Sequence, residues 1–148
     1  MKKIYYIALV IIACSGCQFT QSNSFNDRET AEKIANRFYD EISKKDYFAA
    51  DTLFAKEFLI RTPTDSINMI FTRTNEILGD FKSNKLKDWS TRSVSGSINQ
   101  TEYLLTYDVE YSKYKAVETF RMIKSSDSEI PRILYYNVAS DGFLKWNK

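Results

Sequence analysis

TEYLLTYDVEYSKYKAVETFRMIK, residues 101–124, is the stretch on which the fold turns. From Tyr103 to Tyr111 the odd positions read Tyr103, Leu105, Tyr107, Val109 and Tyr111, while the even ones read Glu102, Leu104, Thr106, Asp108 and Glu110. Successive side chains on a strand point to opposite faces, so this alternation describes a half-buried β-strand. Tyr114, Ala116, Phe120 and Met122 continue the apolar set after a break. A tight turn at Ser112-Lys113 pairs Val109 with Ala116, Leu105 with Phe120 and Tyr103 with Met122, all on one face, and sets Glu110 beside Lys115 on the other. One residue interrupts the apolar face: Glu118, opposite Tyr107.

Upstream, the period changes from two to that of a helix. Ala31, Ile34, Ala35, Phe38, Tyr39 and Ile42 fall on one side of a helix, with Glu32, Lys33, Asn36, Arg37, Asp40 and Glu41 on the other. Asn26 followed by Glu29 reads as its capping box. Asp46 restarts a shorter helix to about Lys56, in which Phe48, Ala49, Leu53 and Phe54 are available for burial. Phe58 to Arg61 reads as an extended link. A third helix follows Thr62-Pro63, carries Ile67, Ile70, Phe71, Thr74 and Leu78, and ends at Gly79. A basic, polar turn is expected over 82–87. Strands then follow at 89–98, through the hairpin, and at 133–140, with Asp141-Gly142 as a final turn. Helices followed by an antiparallel meander predict an α+β domain, with about four strands and the helices on one face.

The N-terminus reads as an address. Lys2 and Lys3 precede an apolar run from Ile4 to Ala13, and small residues then lead to Cys14-Ser15-Gly16-Cys17. This is the pattern of a secretory signal, too short for the roughly 20 apolar residues of a spanning helix. Small residues ahead of a cysteine resemble the lipobox of bacterial lipoproteins, in which the cysteine becomes the acylated N-terminus. Cys17 leaves a signal of ordinary length, residues 1–16, and Cys14 is the alternative. Residues 17–26 then read as a flexible tether, and residues 27–148 as one domain of modal size. Gln18 is not the aspartate that retains lipoproteins at the inner membrane, so the expected location is the periplasmic face of an outer membrane, where the source has one.

Composition removes whole classes of chemistry. The chain has no histidine, and its 2 cysteines are those of the N-terminal segment. Ser-His-Asp and Cys-His nucleophilic catalysis are therefore excluded, as are His-ligated zinc and a structural disulfide within the domain. Loss of Lys2 and Lys3 with the signal leaves 19 basic residues against 19 acidic ones. A neutral chain of interspersed signs gives no electrostatic footprint for nucleic acid. No phosphate-binding loop or metal-ligand spacing is present, and no cofactor is expected.

Several segments together carry a resemblance: the helix junction Lys45-Asp46-Tyr47-Phe48-Ala49-Ala50-Asp51, the Ile77-Leu78-Gly79 ending, the Leu86-Lys87-Asp88-Trp89 entry to the sheet, and Ile133-Leu134-Tyr135-Tyr136-Asn137-Val138. They look like the NTF2-like (cystatin-like) fold, and more narrowly like small bacterial lipoproteins built on it. The resemblance implies a cone in which three helices pack on a curved sheet, often with a pocket at the open end. Its members range from isomerases and dehydratases to pure binding modules, so fold alone assigns no activity.

A turn at Asn99-Gln100 places Arg92 opposite Tyr107, so that Arg92, Tyr107 and Glu118 form one row across three strands on the concave face. Two readings fit that row. It is either the polar floor of a ligand pocket, bordered by Tyr103 and Tyr136, or an internal ion pair that satisfies charges costly to bury alone. The expected function is a non-catalytic lipoprotein binding a small apolar ligand or an envelope protein. The alternatives are an isomerase- or dehydratase-type enzyme with an acid-base pocket around Glu118 and Tyr107, and a purely structural or assembly role.

Overall fold

A computed structural model of the protein describes residues 19–96, 99–126 and 128–145. The segment expected to be a signal, both cysteines and Ile98 lie outside these residues. The described chain is α+β. Strand β1 (Phe19–Ser22) comes first, followed by helices α1 (Phe25–Lys44), α2 (Tyr47–Asp51), α3 (Lys56–Arg61) and α4 (Thr64–Leu78). Strands β2 (Phe81–Ser95), β3 (Gln100–Tyr111), β4 (Lys115–Ser125) and β5 (Arg132–Ala139) and the short helix α5 (Asp141–Lys145) complete it. The five strands form one antiparallel sheet in chain order.

The β3–β4 hairpin has the register that its alternation demands. Tyr103 pairs with Met122, Leu105 with Phe120, Tyr107 with Glu118, Val109 with Ala116, and Glu110 with Lys115. Its inner face is buried against α1, which contributes Ala31, Ile34, Ala35, Phe38 and Tyr39. Phe38 is the hub of the core. Its ring lies 5.1 Å from Phe120, 5.0 Å from Tyr136 and 5.5 Å from Phe71, mostly edge to face, the arrangement that the aromatic quadrupole favours.

Elsewhere the structure departs from the sequence reading. The tether expected over residues 17–26 is, from Phe19 to Ser22, a strand paired with Arg92–Ser95. The Ser24 hydroxyl, rather than Asn26, caps α1 by accepting from the Asp27 amide. Four helices, not three, lie between β1 and β2, because Phe58–Arg61 coils into α3 instead of extending. Phe48 of α2 stays in solvent, and Ile70 of α4 is about half exposed. The sheet has five strands rather than about four.

The polar turn expected over 82–87 is part of β2. Register shifts between Phe81 and Ser83 and between Leu86 and Asp88 insert one extra residue each, Lys82 and Lys87. Each bulge moves the inward positions to the other parity. Phe81 lies opposite inward Tyr111, Asn84 and Leu86 opposite Val109 and Tyr107, and Trp89 and Thr91 opposite Leu105 and Tyr103. Two parity changes erase a period-two pattern, which is why the segment does not look like a strand.

Two clamps close the fold. At one end Asn23 and Ser24 bind Thr91: the Asn23 amide donates to the Thr91 carbonyl (2.9 Å), the Ser24 amide to Thr91 Oγ1 (3.0 Å), and the Thr91 amide to Asn23 Oδ1 (3.2 Å). At the other end the β3–β4 turn satisfies the last carbonyls of α4. The Lys113 amide donates to Leu78 O and Lys113 Nζ to Glu76 O.

Candidate functional site

Glu118 is the one fully enclosed carboxylate among the described residues, with no solvent exposure. Its position follows from the hairpin register, which sends it inward opposite Tyr107. A bare carboxylate there would be costly, so donors converge on it. The Tyr111 hydroxyl donates to Oε1 at 2.5 Å, and the Tyr136 hydroxyl donates to Oε2 at 2.8 Å. The Tyr39 hydroxyl, from α1, is buried close enough for the carboxylate's charge to oppose its ionisation, but makes no well-formed hydrogen bond.

The electrostatics of this cluster are those of a dry interior. Burial raises the Glu118 carboxyl to about 6, while the tyrosine hydroxyls pull the other way by stabilising its charged form. Burial, then the adjacent carboxylate, pushes the Tyr39, Tyr111 and Tyr136 hydroxyls far above the usual phenol range. Tyr111 and Tyr136 therefore stay protonated and donate to the carboxylate across the whole accessible pH range.

The other residues expected in the row lie elsewhere. Arg92 is outside and exposed, opposite Glu102 rather than Tyr107, because β2 stops pairing with β3 at Val94 opposite Gln100, earlier than a tight turn at Asn99-Gln100 requires, and this shift changes both its partner and its face. No ion pair therefore reaches Glu118 from it. Tyr107 faces inward beside Glu118 in register, yet its buried hydroxyl has no hydrogen-bond partner, and the charges nearest it are those of Glu32 and Arg28. Tyr103 is buried toward the start of α1, where Ser93 Oγ donates to Asp27 Oδ2 at 3.0 Å and lies 3.0 Å from Thr101 Oγ1. Of the five expected residues, the structure joins Glu118 and Tyr136 directly. It adds Tyr111 and Tyr39, which the sequence reading had placed only in the core. Their signal was present: buried tyrosine hydroxyls need an acceptor, and Glu118 is the acid on the inner face of the hairpin.

None of five surface clefts in the structure is lined by Glu118, Tyr111 or Tyr136. One of about 730 Å³ lies on the outer side, between α3 and the sheet, and is lined by Phe58, Arg61, Leu104, Thr119, Arg121 and Tyr135, among others. Leu104 and Tyr135 are between two-fifths and half exposed there. A second buried acid, Asp51 of α2, has neither carboxylate oxygen hydrogen-bonded, and burial raises it to about 6. Among the described residues no cluster of three or more acidic residues is placed to hold a metal ion, and no helix is long and apolar enough to cross a membrane.

The Glu118 cluster can therefore store a charge or a proton inside the core, with the carboxylate closed off from solvent. In comparison with known proteins, no family model, no curated protein and no solved structure matches the chain.

Proposed function

We propose that the protein is a lipid-anchored envelope lipoprotein whose domain, of NTF2-like (cystatin-like) type, is a non-catalytic module for binding a partner protein. The address segment supports the anchor: Lys2-Lys3, the apolar run to Ala13, and Ser15-Gly16 ahead of Cys17. The helices packed inside one face of an antiparallel sheet support the NTF2-like reading.

The observation that carries the functional choice is the enclosure of Glu118. An acid-base enzyme needs its carboxylate within reach of a substrate proton. Here the carboxylate's two oxygens are taken by Tyr111 and Tyr136, in a core filled by aromatic rings. A filled interior leaves the outer surface as the place for recognition. The cleft beside α3, with Leu104, Tyr135 and Arg121, combines apolar, aromatic and guanidinium groups of the kind that anchor protein interfaces.

The test is cross-linking in intact envelopes followed by isolation of the tagged protein. The wild type and Glu118→Gln are expected to retain the same discrete adduct, and the double variant Leu104→Asp/Tyr135→Asp is expected to lose it. A small molecule that co-purifies with the wild type, and is lost from Glu118→Gln but not from the outer-face variant, would overturn this reading in favour of an internal pocket.

A further inference from the structure

We infer that the anchored protein stands with one particular end of its sheet on the bilayer, so that the rim to which Ser95, Gly96, Asn99, Gln100, Lys124–Ser126 and Ser128–Ile130 belong meets the lipid headgroups and the Ser112-Lys113 turn points away. This rests on the lipid-anchor reading above and goes beyond it by fixing the domain's posture.

The length of chain between the anchor and the fold carries the inference. Cys17 precedes the first residue of β1, Phe19, by two positions. Two extended residues reach at most about 7 Å, which leaves the domain no freedom to turn over. Strand β1 is itself paired, Phe19 lying opposite Ser95. If β1 frayed, the chain would still be held at Asn23 by the clamp on Thr91, and six residues reach only about 20 Å.

The sheet topology decides which end is down. Ser95 closes β2, Gln100 opens β3, and Gln100 pairs with Ser125 at the close of β4. The start of β1, the end of β2, the start of β3 and the end of β4 thus share one end of the sheet, the end at which the chain arrives from Cys17. The twelve residues of β3 carry the chain roughly 36 Å to the opposite end, where the 112–113 turn lies.

The chemistry of the rim suits headgroups. It presents the amide of Asn99, the hydroxyls of Ser126 and Ser128, the Lys124 ammonium and a part-exposed Ile130, with Glu129 as an opposing charge. Such a surface hydrogen-bonds phosphates and glycerol without needing net attraction. The short tether supplies the effective concentration instead.

The experiment uses the mature lipoprotein, purified with its acyl chains and reconstituted into phosphatidylethanolamine–phosphatidylglycerol vesicles carrying a nitroxide at the headgroup. A fluorophore is attached to Ser126→Cys at the rim or to Lys115→Cys at the far end, both exposed positions. Each variant is checked for the wild-type urea midpoint. The rim label is expected to be quenched at least about fivefold more than the far label, and a flexible insertion of about twelve Gly/Ser residues between Cys17 and Phe19 is expected to bring the two together. Equal quenching of both labels in acylated protein, or stronger quenching at position 115, overturns the posture and leaves the anchor intact. Mass spectrometry that finds no acyl chain on Cys17 in the same preparation overturns both.

Discussion

At the scale of the residue, Glu118 is where stability and pH meet. Its carboxyl titrates at about 6 in the folded protein, against 4.5 when exposed. The folded state therefore holds this proton more tightly than the unfolded one. The stability it contributes is complete below 4.5 and is lost as pH rises through about 6, a change of about 2 kcal/mol. Glu118→Gln is expected to gain about that much relative to the wild type between acidic and mildly alkaline pH, as read from urea midpoints across the range. Asp51, raised from 3.8 to about 6 by burial, acts in the same direction, so Asp51→Asn/Glu118→Gln should flatten the profile further. Removing the acceptor altogether is different. Glu118→Ala strands the Tyr111 and Tyr136 hydroxyls in a dry core beside a new cavity, and is expected to cost about 3–4 kcal/mol at neutral pH. Tyr111→Phe and Tyr136→Phe should each cost about 1–3 kcal/mol where Glu118 is charged and less where it is protonated, a difference that denaturation at two pH values measures.

At the scale of the element, the junctions matter more than the strands. Gly79 joins α4 to β2 at φ +88°, and a Cβ there would stand 2.0 Å from Ser112 Oγ. Gly79→Ala is therefore expected to destabilise the protein by at least about 1–2 kcal/mol, through both the strained backbone and the displaced 112–113 turn; chemical denaturation checks it. At the opposite end, β1 covers the Arg92–Ser95 edge of β2. A chain beginning at Asn23 is expected to unfold at lower urea than one beginning at Phe19, by about 1–2 kcal/mol, while one beginning at Cys17 matches the latter. The register of β2 illustrates why elements differ in legibility. The β3–β4 hairpin has a two-residue turn and unbroken alternation, so its pairing followed from local pattern. Strand β2 reaches β3 through a longer loop and two bulges, and no local rule counts inserted residues across such a connection.

At the scale of the whole molecule, the sheet closes over α1 and α4, and rings pack the space beneath it where the resemblance implies a pocket. Phe38, Phe71, Phe120 and Tyr136 lie within 5.0–6.0 Å of one another wherever they meet. A filled core predicts that recognition depends on the outside. The double variant Leu104→Asp/Tyr135→Asp is expected to keep the wild-type urea midpoint within about 0.5 kcal/mol, since both side chains are part-exposed, while losing its cross-linked partner.

The chain by itself determined what depends on neighbouring residues: the amphipathic faces of α1 and α4, the hairpin pairing, the inward turn of Glu118 and the absence of any histidine. Tertiary structure alone decided which hydroxyls reach Glu118. Tyr111 lies four residues along β3 from Glu118's own partner Tyr107, and Tyr136 lies two residues along β5 from its partner Val138. Both reach it because the inner face brings side chains from distant rungs together, whereas Tyr107, directly opposite, is turned toward α1. Periodicity in sequence assigns a side chain to a face. Which partners it meets there depends on the path of the backbone in three dimensions, and here that path enclosed the acid rather than opening it to solvent.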